Sequence, residues 1–134
     1  MKELLYIIIF FLISFPCYSR WEKVHEDNIF SEYSEVDTVK KIDNIIYVWS
    51  LIDYKKTQKN GNLSTKYYSM YDCNNMRYKV LSVIEYKTNM GRGRNFRYTK
   101  NITNESSNAN WVYPSIDSED YIKIISICSP NETY

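Results

Sequence analysis

From Asn44 to Lys55 apolar residues occupy both alternations of the chain. Ile45, Tyr47, Trp49 and Leu51 fall on one; Ile46, Val48, Ile52 and Tyr54, with Ser50 among them, fall on the other. Side chains of a strand point alternately to its two faces, so this segment predicts a central strand covered on both sides. Ser64–Cys73 and Arg77–Thr88 carry the next two alternating patterns. In the first, Thr65, Tyr67, Ser69, Tyr71 and Cys73 share a face; in the second, Tyr78, Val80, Ser82, Ile84 and Tyr86 do. Asn60-Gly61 lies in the link from Lys55 to Leu63, and Asn74-Asn75 separates the second and third strands. Asn tolerates the positive φ of a tight hairpin, so the three strands read as an antiparallel meander.

Weaker patterns flank this centre. Trp21–Val24 and Ile29–Val36 predict short strands, and 37–41 a turn or a single helical turn before the bend at Asp43-Asn44. The glycines of Asn89–Arg94 predict a flexible, cationic loop, followed by a short edge strand over Phe96–Thr99. Lys100–Asn110 is polar, and Trp111–Pro114 is extended because proline disfavours helix in the residue before it. A helix follows, capped by Ser115, Asp117 or Ser118, with Glu119 and Asp120 in its first turn to complement the dipole. Its apolar stripe is Tyr121, Ile124, Ile125 and Cys128, and Ser129-Pro130 ends it. Together these elements predict an α+β fold, with one antiparallel sheet of about five to six strands and a C-terminal helix packed on one face.

The N-terminus changes the picture. Leu4–Phe15 is an apolar run broken only by Ser14, behind a short start with one Lys. It is too short for a transmembrane helix, which needs about 20 apolar residues. Small residues at Cys17 and Ser19 suit cleavage after Ser19, so residues 1–19 read as a signal peptide and 20–134 as one domain. An uncleaved anchor and lipidation at Cys17 are the alternatives; Pro16 just before that cysteine is a poor lipidation signal. Cleavage leaves two cysteines, Cys73 and Cys128, in an oxidising compartment where they are expected to pair. The alternative is two buried free thiols. The chain-entropy model gives about 4 kcal/mol for closing so long a loop. Cys73 on the sheet and Cys128 on the helix make the pair a clamp between the two layers.

Candidate chemistry is sparse. The formal net charge is +1, so no strong field draws the chain to nucleic acid or anionic lipid. His25 is the only histidine; it sits in a polar stretch with no nucleophile motif, and two distant cysteines with one histidine do not make a zinc site. No cofactor motif is present: Gly91-Arg92-Gly93-Arg94 lacks the Gly-Lys-Ser/Thr ending of a phosphate loop. Asp53 and Glu85 would form a carboxylate pair of the glycosidase kind if their strands were neighbours. The sharpest binding candidate is the basic, aromatic run Arg92, Arg94, Phe96, Arg97, Tyr98 and Lys100, suited to a sulfated glycan or an acidic protein surface. Fourteen tyrosines, most of them in strands, favour an interaction surface in aggregate. The Asn-x-Ser/Thr triplets at Asn62, Asn101, Asn104 and Asn131 are uninformative in so Asn- and Ser-rich a chain.

The order of features resembles the bacterial surface-adhesin protein E family. Trp21, Val36-Asp37-Thr38, Val48–Tyr54, Ser64, Tyr71-Asp72-Cys73, Arg77, Met90-Gly91-Arg92-Gly93, Trp111, Pro114-Ser115 and Cys128 carry the resemblance, which spans nearly the whole chain after the expected leader. It implies an antiparallel sheet with a helix, a non-catalytic role and exposure outside the cytoplasm. Its best-known member is an outer-membrane lipoprotein that dimerises and binds host extracellular-matrix proteins. The expected function is therefore a secreted or cell-envelope, non-catalytic binding protein for a protein or glycan ligand. The alternative is a soluble periplasmic protein that inhibits or assists another envelope protein. A homodimer is also expected, because the two apolar faces of Asn44–Lys55 exceed what one short helix covers.

Overall fold

Seven strands and one helix are formed in the computed structural model, which describes residues 20–100 and 111–129. They are β1 (Trp21–Glu26), β2 (Phe30–Glu35), β3 (Lys40–Ile42), β4 (Ile45–Tyr54), β5 (Ser64–Asp72), β6 (Arg77–Tyr86), β7 (Asn95–Lys100) and α1 (Glu119–Cys128). The expected leader, the 101–110 stretch and the triplets at Asn101, Asn104 and Asn131 lie outside the described residues.

All pairings are antiparallel, in the order β1-β2-β4-β5-β6-β7. β4 is central as expected, paired with β5 from Ile45↔Asp72 to Asp53↔Ser64. Its other edge is shared: β2 pairs with Ser50–Tyr54 and β3 with Ile45–Tyr47. β3 corrects the expected turn over 37–41. Only three residues long, it exists because Asp43 takes φ 52 and folds Lys40–Ile42 back onto β4.

Two further details depart from the sequence reading. In the β5–β6 hairpin the positive φ falls on Met76 (φ 47), not on Asn74 or Asn75. The reason is Asp72, whose carboxylate accepts from the backbone and side-chain nitrogens of Asn75 and fixes the turn before that point. In β6, Ser69 pairs with Val80 but Tyr68 pairs with Ser82, so Leu81 is an extra residue. Such a bulge shifts the alternation. Tyr78 and Val80 therefore face one side, and Ser82, Ile84 and Tyr86 face the other.

Each face has its own core. On the helix face Ile46, Val48 and Tyr71 pack around Ile124, joined by Cys73, Tyr78, Ile127 and Cys128. On the opposite face Tyr47, Met70 and Leu81 pack with Ile45, Tyr68 and Trp111. Burying a side chain such as Ile124 contributes about 2 kcal/mol. The N-cap of α1 is Ser118, whose Oγ accepts from Tyr121 N at 3.2 Å. Cys73 and Cys128 are bonded, with their Cα atoms 5.6 Å apart, so the sheet and helix layers are clamped as expected.

The inward stripe of α1 differs from the expected one. Ile125 is 49% exposed, whereas Ile127 packs on the core and Lys123 ion-pairs with Glu32 of β2. Asp120 accepts from the Tyr78 hydroxyl at 3.0 Å. These polar bonds and the disulfide turn the helix so that 120, 123, 124, 127 and 128 face the sheet, while Ile125 does not. Among the described residues no helix is long and apolar enough to cross a membrane.

Candidate functional site

The basic run lies at the β7 edge of the sheet. β7 pairs with β6 from Ser82↔Lys100 to Tyr86↔Asn95 and begins just after the Asn89–Gly91 turn. That turn is not the loose loop that its glycines suggested. Asp53 Oδ1 accepts from Met90 N at 2.7 Å and Asn89 Nδ2 at 3.2 Å, and Ser64 Oγ accepts from Gly91 N at 2.8 Å. Gly91 has φ +57, and a Cβ there would stand 2.4 Å from Lys66 Cε. The glycine thus clears the path along which Lys66 reaches the rings of Trp21 and Tyr86, 5.6 and 5.3 Å from its Nζ.

The candidate residues follow one another along the segment after this clamped turn and on the edge strand, where Arg97 pairs with Glu85 on one face and Tyr98 and Lys100 lie on the other. Arg92, Arg94 and Lys100 are exposed, and Tyr98 is 55% exposed. Arg97 is partly engaged, with Nη1 3.0 Å from Glu85. Phe96 lies between two cations, 5.5 Å from Lys87 Nζ and 5.8 Å from the Arg97 guanidinium carbon. Lys87, which the sequence reading left out, therefore belongs to the same patch; its spacing from Phe96 becomes adjacency only through the β6–β7 turn. Exposed cations around aromatic rings suit recognition of anionic groups in water.

The other candidates separate. Asp53 pairs with Ser64, and Glu85 with Thr65, the next residue on β5. Consecutive positions face opposite sides of the sheet, so these carboxylates are not a pair; Asp53 clamps the turn while Glu85 binds Arg97 and Asn60. His25 is half-buried in β1, its ring 5.4 Å from that of Phe30 and its Nε2 3.8 Å from Asp27. Asn62 is buried and donates to Thr65 Oγ1 at 2.6 Å, so its amide is engaged inside the protein. Among the described residues no group of three or more His, Cys, Asp or Glu side chains is placed to hold a metal ion.

A second feature, invisible in the sequence, lies between the layers. A cavity of about 490 Å³ opens between the helix face of the sheet and α1. Its floor is cut by three short side chains: Ser34 pairs with Ser50 across β2–β4, and Ser69 faces Val48 on β5. Tyr67, Tyr71 and Tyr78 stand around the floor. Burial, and then Tyr54, push the Tyr67 phenol up to about 12; burial also raises Tyr71, while burial and the bond to Asp120 raise Tyr78. Burial opposes the charge on Lys123, but Tyr71 and Glu32 outweigh it, and its pKa is raised. Ser50 and Ser69, each between apolar neighbours, are the sequence trace of this space.

No curated protein and no solved structure gives a significant match to this chain. The sequence profile of the surface-adhesin protein E family matches residues 21–129, from the first residue of β1 to just beyond the disulfide cysteine of α1. The chain belongs to the surface-adhesin protein E family.

Proposed function

We propose that this protein is an exported, non-catalytic, adhesin-like binding protein that holds an acidic protein surface or a sulfated glycan at its β7 edge. The observation that carries this reading is the run of exposed cations Arg92, Arg94, Arg97 and Lys100 along the β7 edge, with Phe96 near Lys87 and Arg97, just after a turn held in place by Asp53 and Ser64. A preorganised basic edge loses little freedom on binding, and membership of a surface-adhesin family supports both export and a binding role. Host extracellular-matrix proteins are the partners to test first.

The test is binding of the purified protein to immobilised heparin and to matrix proteins, beside an Arg92/Arg94/Arg97→Ala variant. Saturable binding that weakens with salt and drops at least tenfold in the variant is expected. No saturable binding to any of these surfaces would sink the proposal. Surface labelling of intact cells separates it from a periplasmic role, in which the protein is released with the periplasm and co-purifies with one envelope partner. A homodimer through the sheet face away from α1 belongs to the same proposal. Trp49, Tyr68 and Ile84 remain partly exposed there, and a monomer in sedimentation at micromolar concentration counts against it.

A further inference from the structure

The cavity between the sheet and α1 has features that packing alone does not require. Ser50 sits at its floor, 2% exposed, and its Oγ makes no hydrogen bond among the described residues. A buried hydroxyl without a partner is destabilising, and an alanine or valine there would avoid that penalty. The volume lies in the range of sites that take one small molecule. Ile52, Val80 and Ile127 give it apolar walls, and Phe30 and three tyrosines add aromatic ones.

Its charge is uneven. Glu32, Glu119 and Asp120 line it against the single ammonium of Lys123, with His25 at the β1 side. Lys123 is already bound to Glu32, and Tyr78 supplies only a neutral donor to Asp120. An anionic ligand would meet an excess of negative charge; a cation meets carboxylates and the faces of aromatic rings. The chemistry that fits the whole space is an apolar body with a hydrogen-bonding group at one end and an ammonium at the other.

We propose that this cavity binds a small amphipathic amine, its polar end on Ser50 and its ammonium towards the Glu119–Asp120 end of α1. The site is separate from the basic β7 edge and selects the opposite charge.

Tyramine is the probe, followed by calorimetry or by amide shifts in the purified, disulfide-bonded protein. Phenethylamine removes the hydroxyl, and 3-(4-hydroxyphenyl)propionate reverses the charge. Tyramine is expected to saturate the protein, phenethylamine to bind about tenfold more weakly, since it leaves Ser50 unpaired, and the propionate not to saturate it. Ser50→Ala should bring tyramine down to the level of phenethylamine and leave phenethylamine unchanged. Ser126→Trp, an exposed position on the cavity's helix side, should weaken both amines without touching the core. The Arg92/Arg94/Arg97→Ala variant should bind tyramine as before, which keeps this site distinct from the β7 edge. The proposal is overturned if tyramine does not saturate the protein, leaving the cavity to water alone. Equal binding of the propionate, or tyramine binding unchanged in both Ser50→Ala and Ser126→Trp, overturns it as well.

Discussion

The two faces of β4 are built from alternate residues of one strand, yet they are covered in different ways. On the face away from the helix the sheet's own long side chains fill the space. Tyr47 and Tyr68 stack at 6.1 Å, Trp49 lies 4.9 Å from Tyr68, and Leu51 is fully buried. Trp111 lies across Arg77 and the buried Lys79, 4.2 and 4.7 Å from their cationic groups. On the helix face Val48 has Ser69 opposite it and Ser50 next on the same side of its strand, and α1 closes the space without filling it. The first face is held by packing across many strands. The second depends on one tethered helix, joined by a disulfide, an ion pair and a tyrosine–carboxylate bond. A sheet face can thus be completed by bulk or by a tether, and here the tethered face leaves room for a ligand.

Breaking the tether is the strongest way to separate the two faces. Replacing Cys73 and Cys128 by Ala should cost about 4 kcal/mol in urea unfolding. Trp21, Trp49 and Trp111 all lie on the packed face. Their emission should therefore change only when the sheet unfolds, while the amides of α1 lose protection earlier. Simultaneous loss of both signals would mean that the faces are not independent.

Truncating one core residue on each side measures the packing directly. Leu51→Ala should cost about 3–4 kcal/mol and Ile124→Ala about 2–3 kcal/mol, because tightly enclosed sites relax least around a deletion. The reverse order would contradict the view of the helix face as the looser one. Lys123→Met leaves Glu32 half-buried without its partner, and a loss of about 1–2 kcal/mol is expected, between exposed and fully buried pairs. Ser118→Ala removes the N-cap of α1 and should cost about 1 kcal/mol.

The mildest test is pH. Tyr67, Tyr71 and Tyr78 line the helix face and hold their protons more tightly than free tyrosine. A group that binds its proton more tightly in the folded state contributes stability that is complete below the unfolded value, here 10, and is lost above it. For Tyr67 the loss runs from about pH 10 towards about 12. Hydrogen exchange or near-ultraviolet dichroism should show α1 loosening in that window, ahead of the sheet. An undiminished helix signal at pH 12 would refute this.

Much of the fold was readable because it depends on local period and composition. The double alternation of Asn44–Lys55 sets β4 at the centre whatever its neighbours do. The pairing of Cys73 with Cys128 follows from their being the two cysteines beyond the apolar N-terminal run. Other features depend on partners distant in the chain. β3 has too few residues to show a pattern and is defined by the strand it pairs with. The Leu81 bulge reverses a strand's faces without any mark in its alternation. The turn at Asn89–Gly91 looked loose because its clamps, Asp53 and Ser64, come from other strands.

The site divides along the same line. The sequence by itself determined that a central two-faced strand, a helix, a cysteine pair and a cluster of cations with aromatics would exist, since each is a property of neighbouring residues or of simple counts. Only the tertiary structure decided that Lys87 joins that cluster, that Arg97 is partly neutralised, and that Asp53 and Glu85 stand on opposite faces. It alone turned Ser34, Ser50 and Ser69 into the floor of a cavity. Side-chain volume is written in the chain, but empty space is set by the distance at which a disulfide and an ion pair hold one layer above another.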